Sequence, residues 1–488
     1  MRSKFAVGTI AMATALATAA TLAGPANAVE PVPLDLPAPK IVQEPTQLDP
    51  TTKAGAVQAL KVAKRVNAAK AQPGDPSATL ARRDLFLARP HLTGDAAEQA
   101  DAIMARPFGD SNPVDARPTY SGKVKRKCNA KLCVVWTTSG ADRTTKKWAK
   151  KTFRVMNQVW KKEVGKLGYR APKRDGRLGG NGKLDIYLGE LRSQGMYGYC
   201  QAEYYVKGQG RPASGYCALD NDFKGFSTPP KKALKATAAH EFFHAVQYSY
   251  DVLEHRWMME STATWAEERV YDGVNDNRQY LRTSQLAAPW NSLLLYDRNR
   301  LEQYGNWIFW EYLTKRYGKG IVKNVWQKSA GKRQSVKSLK KVLKRKGGMN
   351  RVYADYAARL TIPRKGFPEG KKYRTVSPQT YTLGRGARSG GSITLPAYAS
   401  YPLMLRPNSS VNKKTKLRLR QYGPRKKSNG LTVVVVTKKG KVSFKRAKLK
   451  KKGAFIKVKF NKKISRVYVP VTNAGSGTNR VAIAWKVK

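Results

Sequence analysis

The stretch that decides the reading of this chain is His240-Glu241-Phe242-Phe243-His244, continued by Ala245-Val246-Gln247-Tyr248-Ser249-Tyr250. Histidines four apart lie on one face of an α-helix, so both imidazoles reach a single metal ion, and the glutamate between them sits beside the water such an ion would hold. The flanks favour that helix: Pro229-Pro230 opens it, and Lys231–Ala239 is rich in good helix formers. The chain has only 4 His, and chance supplies the pattern in about one chain per thousand of this length. Two core histidines are the competing reading, and they would bury imidazoles and a carboxylate without partners.

Zinc suits these donors, and a catalytic zinc takes three protein ligands and keeps one position open. The elongated HExxHxxGxxH pattern needs a histidine where this chain has Tyr250. Downstream, Trp257–Glu268 reads as a second helix returning past the first. Glu260 on it is the candidate third ligand. Its rivals are His255, in the intervening turn, and Glu267 and Glu268, which read otherwise as surface charges or supporting partners. Asp251 reads as a local turn residue. A donor to a developing oxyanion is also needed, and Tyr304 is the candidate, with His255 a second. Against that, Tyr304 stands in a Tyr/Trp-rich stretch where a packing role is the simpler reading. Asp175, Asn181 and Asp185 punctuate a Gly-rich turn but miss the calcium-loop spacing. Leu184–Leu188 reads as a strand and as the sheet edge along which an extended peptide could align.

HEFFHAVQYSYD (residues 240–251) followed by WMMESTATWAEE (257–268) resembles the gluzincin zinc metallopeptidases and, more closely, a family of exported bacterial metalloproteases. The resemblance covers roughly residues 118–320, including Lys183–Leu188 and Tyr304–Trp310. It implies Zn²⁺, peptide-bond hydrolysis, His240, His244 and Glu260 as ligands, and Glu241 as the general base. The spacing from His244 to Glu260 is shorter than in the best-known gluzincins.

The rest of the chain supplies the setting. Arg2 and Lys4, an uncharged run from Phe5 to Ala23, and Ala26-Asn27-Ala28 read as a signal peptide over residues 1–28, which predicts a secreted or cell-wall-associated protein with no transmembrane span after cleavage. The four cysteines suit that compartment, and Cys128–Cys133 with Cys200–Cys217 is the favoured pairing over a four-cysteine zinc site. Residues 29–115 form a Pro-rich and then helical leader, read as a pro-region or a linker. Its first helix carries Val57, Leu60, Ala63 and Val66 on one stripe. Residues 116–370 are expected to form a zincin-like domain and residues 371–488 a β-sandwich or jelly roll, an α+β chain in all. Five strands are legible in the last part: 431–437, 441–445, 454–460, 464–472 and 480–487.

The formal net charge is +61, from 93 Lys+Arg against 32 Asp+Glu. It is unevenly placed: residues 321–488 hold 45 basic and 2 acidic side chains. So lopsided a module suits an anionic cell-surface polymer or polysaccharide, and it carries no motif for specific nucleic-acid reading. The expected function is thus an exported zinc endopeptidase acting on peptide or protein substrates and tethered to anionic surfaces. The alternative is a cationic surface-binding protein whose zincin-like domain is inactive or non-proteolytic.

Overall fold

The computed structural model describes residues 36–42, 48–68, 70, 77–107, 120, 122–296, 301–331, 335–423, 429–450 and 453–488. The signal segment 1–28 lies outside the described residues.

Three leader helices come first: α1 (Lys53–Asn67), α2 (Ala78–Ala88) and α3 (Gly94–Met104). A mixed sheet follows, from β1 (Val124–Cys128), β2 (Leu132–Thr137), β3 (Leu184–Gly189), β4 (Gly198–Tyr205) and β5 (Ala213–Asp220), in spatial order β1-β2-β3-β5-β4. Between β2 and β3 runs α4 (Lys146–Trp160), prolonged by a π-helical turn over Lys161–Lys166. The pairs β2–β3 and β3–β5 are parallel, whereas β4 runs antiparallel along the edge beside β5. The strand 184–188, read from sequence as an edge, is therefore interior. The burial of β3 is unbroken from Leu184 to Gly189, with Leu184, Ile186 and Leu188 toward the main core and Tyr187 toward the other, where Arg106 binds Asp185. The edge strands of this sheet are β1 and β4.

Alternation along the strands assigns the two faces of the sheet. Leu132, Val134, Ile186, Leu188, Cys217 and Leu219 point into the main core with α4 and the following helices. Cys133, Val135, Tyr187, Tyr199, Tyr216 and Ala218 point the other way, against Val62, Val66, Ala78 and Ala81 of the leader. The leader is thus the third layer of a helix–sheet–helix stack. Val57, expected on its buried stripe, is 57% exposed; Ala56, Ala59 and Val62 take that contact instead. Both disulfides expected from sequence are formed. Cys128–Cys133 closes the β1–β2 hairpin and Cys200–Cys217 joins β4 to β5.

Under the sheet lie α5 (Pro230–Tyr248) and α6 (Arg256–Tyr271), packed on each other. From Ala233 onward almost every α5 side chain is buried, so this helix is wrapped on all sides. A short α7 (Glu302–Gly305), then α8 (Trp307–Tyr317), α9 (Gly320–Ser329), α10 (Ser335–Lys344), α11 (Met349–Leu360) and α12 (Pro363–Gly366) complete the helical part. Indole N–H groups of Trp310 and Trp326 donate to Ser261 and Thr262, at 2.8 and 3.2 Å, and so fix α6 from its far side.

The last part holds two facing five-stranded sheets built from β6 (Gln379–Leu383), β7 (Arg388–Leu395), β8 (Ala399–Pro407), β9 (Lys416–Tyr422), β10 (Thr432–Thr437), β11 (Val442–Arg446), β12 (Lys448–Lys450), β13 (Gly453–Lys459), β14 (Ile464–Asn473) and β15 (Asn479–Val487). Their orders are β11-β10-β14-β8-β6 and β12-β13-β9-β15-β7. Inward residues such as Leu403, Leu419, Val433, Val469 and Ile483 form one core. Gly440, at φ +77°, makes the β10–β11 turn expected from Lys438–Lys441. Leu36 of the Pro-rich leader, read from sequence as part of a tail, is buried in this core. Among the described residues no helix is long and apolar enough to cross a membrane.

Candidate metal centre

The centre forms where α5 and α6 face each other. One ligand atom from each of His240, His244 and Glu260 lies within 4.8 Å of the others. Glu260 Oε2 is 3.2 Å from His240 Nε2 and 3.7 Å from His244 Nε2. The outward nitrogens are engaged elsewhere: His240 Nδ1 lies 2.8 Å from Glu267 Oε1, and His244 Nδ1 lies 2.8 Å from Gln247 Oε1. With Nδ1–H donated to an oxygen, each ring turns its Nε2 lone pair inward, the usual way a protein orients histidine ligands. Gln247 is held in turn by donating to Met259 O and Thr262 Oγ1. His244 Nε2 is buried without a hydrogen-bond partner. Two oriented imidazoles, a carboxylate and one orphaned buried nitrogen fit a zinc ion with a fourth position open.

Electrostatics follow the same geometry. Burial disfavours charge on His240, but its bonds to Glu260 and Glu267 win and raise its pKa well above the ordinary imidazole value. Burial likewise disfavours charge on Glu260, yet the two histidines hold its carboxyl well below the usual range. Glu267 is pushed up to about 7 by burial, against the pull of His240. Burial also raises Glu241, which neighbours the triad.

The other sequence candidates separate cleanly. Glu267 supports His240 from outside the ligand set, and Glu268 bonds Asn277 instead. His255 is the N-cap of α6, its Nδ1 accepting from Trp257 N–H at 3.2 Å. Asp251 caps Leu253 N–H and pairs with Arg211, as a turn residue does. Tyr304 reaches the site: its ring lies 5.9 Å from that of His240 and stacks on Tyr280 at 5.0 Å. Asp185 belongs to a different cluster, where Arg106, just past α3, bonds Asp175, Asp185 and Glu203 at 2.6, 2.5 and 2.7 Å.

Sequence reasoning missed what lies across the mouth of the site. Ser77, the N-cap of α2, donates to Glu260 Oε1 at 2.6 Å, and Thr79 donates to Glu241 Oε2 at 2.8 Å. Thr79 Oγ1 also accepts the N–H of Cys200 on β4 at 3.0 Å. The leader therefore satisfies the Glu260 carboxylate, the Glu241 carboxylate and a backbone donor of the β4 edge at once. A cavity of about 230 Å³ remains, bounded by Ser77, Thr79, His240, Glu241, Tyr280 and Tyr304. Arg83 and Asp84 anchor α2 beside it: both are buried, and Asp84 is bound by Arg83 and by Arg256 of α6, each at 2.5 Å. No local signal in Ser77–Thr79 marks this role. The role of Gln247 was missed as well, though its place three residues beyond His244 on the same helix face is a signal that could have found it.

Residues 218–362 match the model of a family of unknown function, DUF6055, a span that contains α5, α6 and the whole His240–His244–Glu260 set. Among solved structures, the pre-peptidase C-terminal domain of collagenase from Bacillus anthracis matches at 14% identity, over 24% of this chain and 100% of that one, with a TM-score of 0.17. No curated protein matches the chain.

Proposed function

We propose that this chain is an exported zinc-dependent endopeptidase of gluzincin type, folded with its site closed by its own leader and carried on anionic surfaces by its basic sandwich. The observation that bears most weight is the paired orientation of His240 and His244 by Glu267 and Gln247 toward Glu260. A zincin-like architecture is supported by the sheet above α5, with an antiparallel edge strand flanking the site.

Zinc, when bound by His240, His244 and Glu260, would supply Lewis acidity toward water and a peptide carbonyl. Glu241 would take a proton from the attacking water and return it to the leaving amine, a role supported by burial, which raises its basicity above that of an ordinary carboxylate. Tyr304 offers a phenol to the developing oxyanion. The edge of β4 would give an extended peptide a backbone to pair with once Thr79 withdraws from Cys200 N–H.

Closure by α2 has a consequence for the leader. Arg106 with its three carboxylates, and the Arg83–Asp84–Arg256 set, hold it non-covalently, so a cut in the chain alone does not release it. Activity requires that α2 leave the cleft. The test is zinc content and peptide-library digestion by the chain after leader displacement, compared with Glu241→Gln. Full zinc with lost cleavage is expected in that variant. Equal cleavage by Glu241→Gln, or no zinc in either protein, sinks the reading and favours the inactive surface-binding alternative.

A further inference from the structure

The strongest unexplained feature outside the metal centre is the outer face of the sheet β12-β13-β9-β15-β7. Past Glu369 the chain has no Asp or Glu, so nothing acidic within residues 370–488 can neutralise this face. Register brings its cations together. Lys457 pairs with Arg418, Arg418 with Lys486, and Lys486 with Arg388, giving four cations abreast on four consecutive strands. At about 4.8 Å per strand this row runs roughly 14 Å. Like charges directly opposite each other destabilise a sheet, and repulsion, from Arg388 foremost, holds the Lys486 ammonium below its usual range. One residue pair along, Arg420 is clamped between the rings of Tyr422 and Phe455, at 4.3 and 4.6 Å from their centroids. Together these residues line a groove of about 1110 Å³.

We propose that this groove binds an extended anionic glycan, a carboxylated or sulfated saccharide polymer lying across the strands with successive charges on the Lys457–Arg418–Lys486–Arg388 row. The spacing of the row is close to the length of one sugar ring, and its arginines offer forked donors that match carboxylate and sulfate. A single-stranded nucleic acid is less well served. It needs open aromatic faces for its bases, and here Arg420 covers Tyr422 while Arg420 and Lys450 flank Phe455. This deepens the anionic-surface part of the proposed function and does not depend on peptide hydrolysis.

The experiment uses the full chain and reads binding to polygalacturonate, to heparin and to a single-stranded DNA oligomer across a salt series. Arg418→Gln/Lys457→Gln/Lys486→Gln removes the row. Lys438→Gln/Lys439→Gln/Lys441→Gln removes the same charge from an exposed turn on the other sheet. The row variant is expected to weaken glycan binding by about ten- to a hundredfold at physiological salt and to flatten its salt dependence, with little change in the turn variant. A carboxylate source is indicated if polygalacturonate binds more tightly than heparin, and a sulfate source if the reverse holds. Equal loss in both variants overturns the groove while leaving diffuse charge attraction intact. Tighter DNA binding that depends on the row overturns the ligand class. No binding to any polyanion overturns the groove and the surface-tethering reading together.

Discussion

Replacing Thr79 by valine tests the closure of the site most directly, because the shape is kept and the hydroxyl is lost. Thr79 is 2% exposed, and its hydroxyl makes two bonds across the cleft, one to a carboxylate and one from a backbone N–H. A hydrogen bond to a charged group contributes about 1.5–3 kcal/mol and an ordinary one about 1 kcal/mol. In the closed state the valine chain loses both, and when α2 lifts away water satisfies the same groups. The closed state should therefore lose about 3 kcal/mol relative to the open one, roughly a hundredfold in the equilibrium. Adding Ser77→Ala removes the bond to Glu260 and should open the site further. Two rates report this: removal of bound zinc by a chelator, and cleavage of a quenched peptide by the intact chain. Both should rise by about two orders of magnitude in Thr79→Val if opening limits them. Thr52→Ala, which removes the N-cap of α1 away from the cleft, should lower stability by about 1 kcal/mol and leave both rates unchanged. Unchanged zinc release in a folded Thr79→Val/Ser77→Ala chain, or an equal increase in Thr52→Ala, would refute the reasoning.

Further outcomes follow from the same contacts. Glu267→Gln keeps the size of the residue but weakens its hold on His240 Nδ1, so zinc affinity should fall about 10- to 100-fold in a chelator competition. Asp185 is fully buried and its pKa is raised from 3.8 to about 6, chiefly by desolvation. The folded chain thus holds a proton there that the unfolded chain releases. This favours folding below about pH 4, and the advantage is lost as pH rises through about 6, a swing of about 3 kcal/mol. Asp185→Asn should remove that pH dependence, seen as a stability difference between the two chains that changes by about 3 kcal/mol from pH 4 to 7. Removing the Cys200–Cys217 bridge by double alanine substitution should destabilise the chain by about 3 kcal/mol in denaturant unfolding, given its 17-residue separation.

The helix carrying His240 and His244, the helix carrying Glu260, both cysteine pairs and the five late strands were legible because each rests on local spacing or composition. The strands of residues 379–422 were not picked out one by one. Their sequences hold few long apolar runs, and Gly390, Gly391 and Pro402 blur the alternation; β7, β8 and β9 form by long-range pairing with β14 and β15, and β6 pairs with β8. The interior place of β3 escaped notice for a related reason: only a short strand's partners say whether it is an edge. Glu260 was favoured over His255 from its place on the second helix, and packing makes His255 the cap of that helix and sets Glu260 beside the histidines.

By itself, the sequence determined that two histidines share a helix face with a glutamate beside them, favoured two short cysteine loops, and placed most of the excess charge in the last third. These are properties of neighbours along the chain, set by helix periodicity and composition. The tertiary structure decided which carboxylate joins the histidines, which strand is open, that a cation row crosses four strands, and that Ser77 and Thr79 close the site. Those contacts join residues 183 and 162 positions apart. They exist only because burying the second face of the sheet draws the leader down onto it, and with it the two hydroxyls into the cleft.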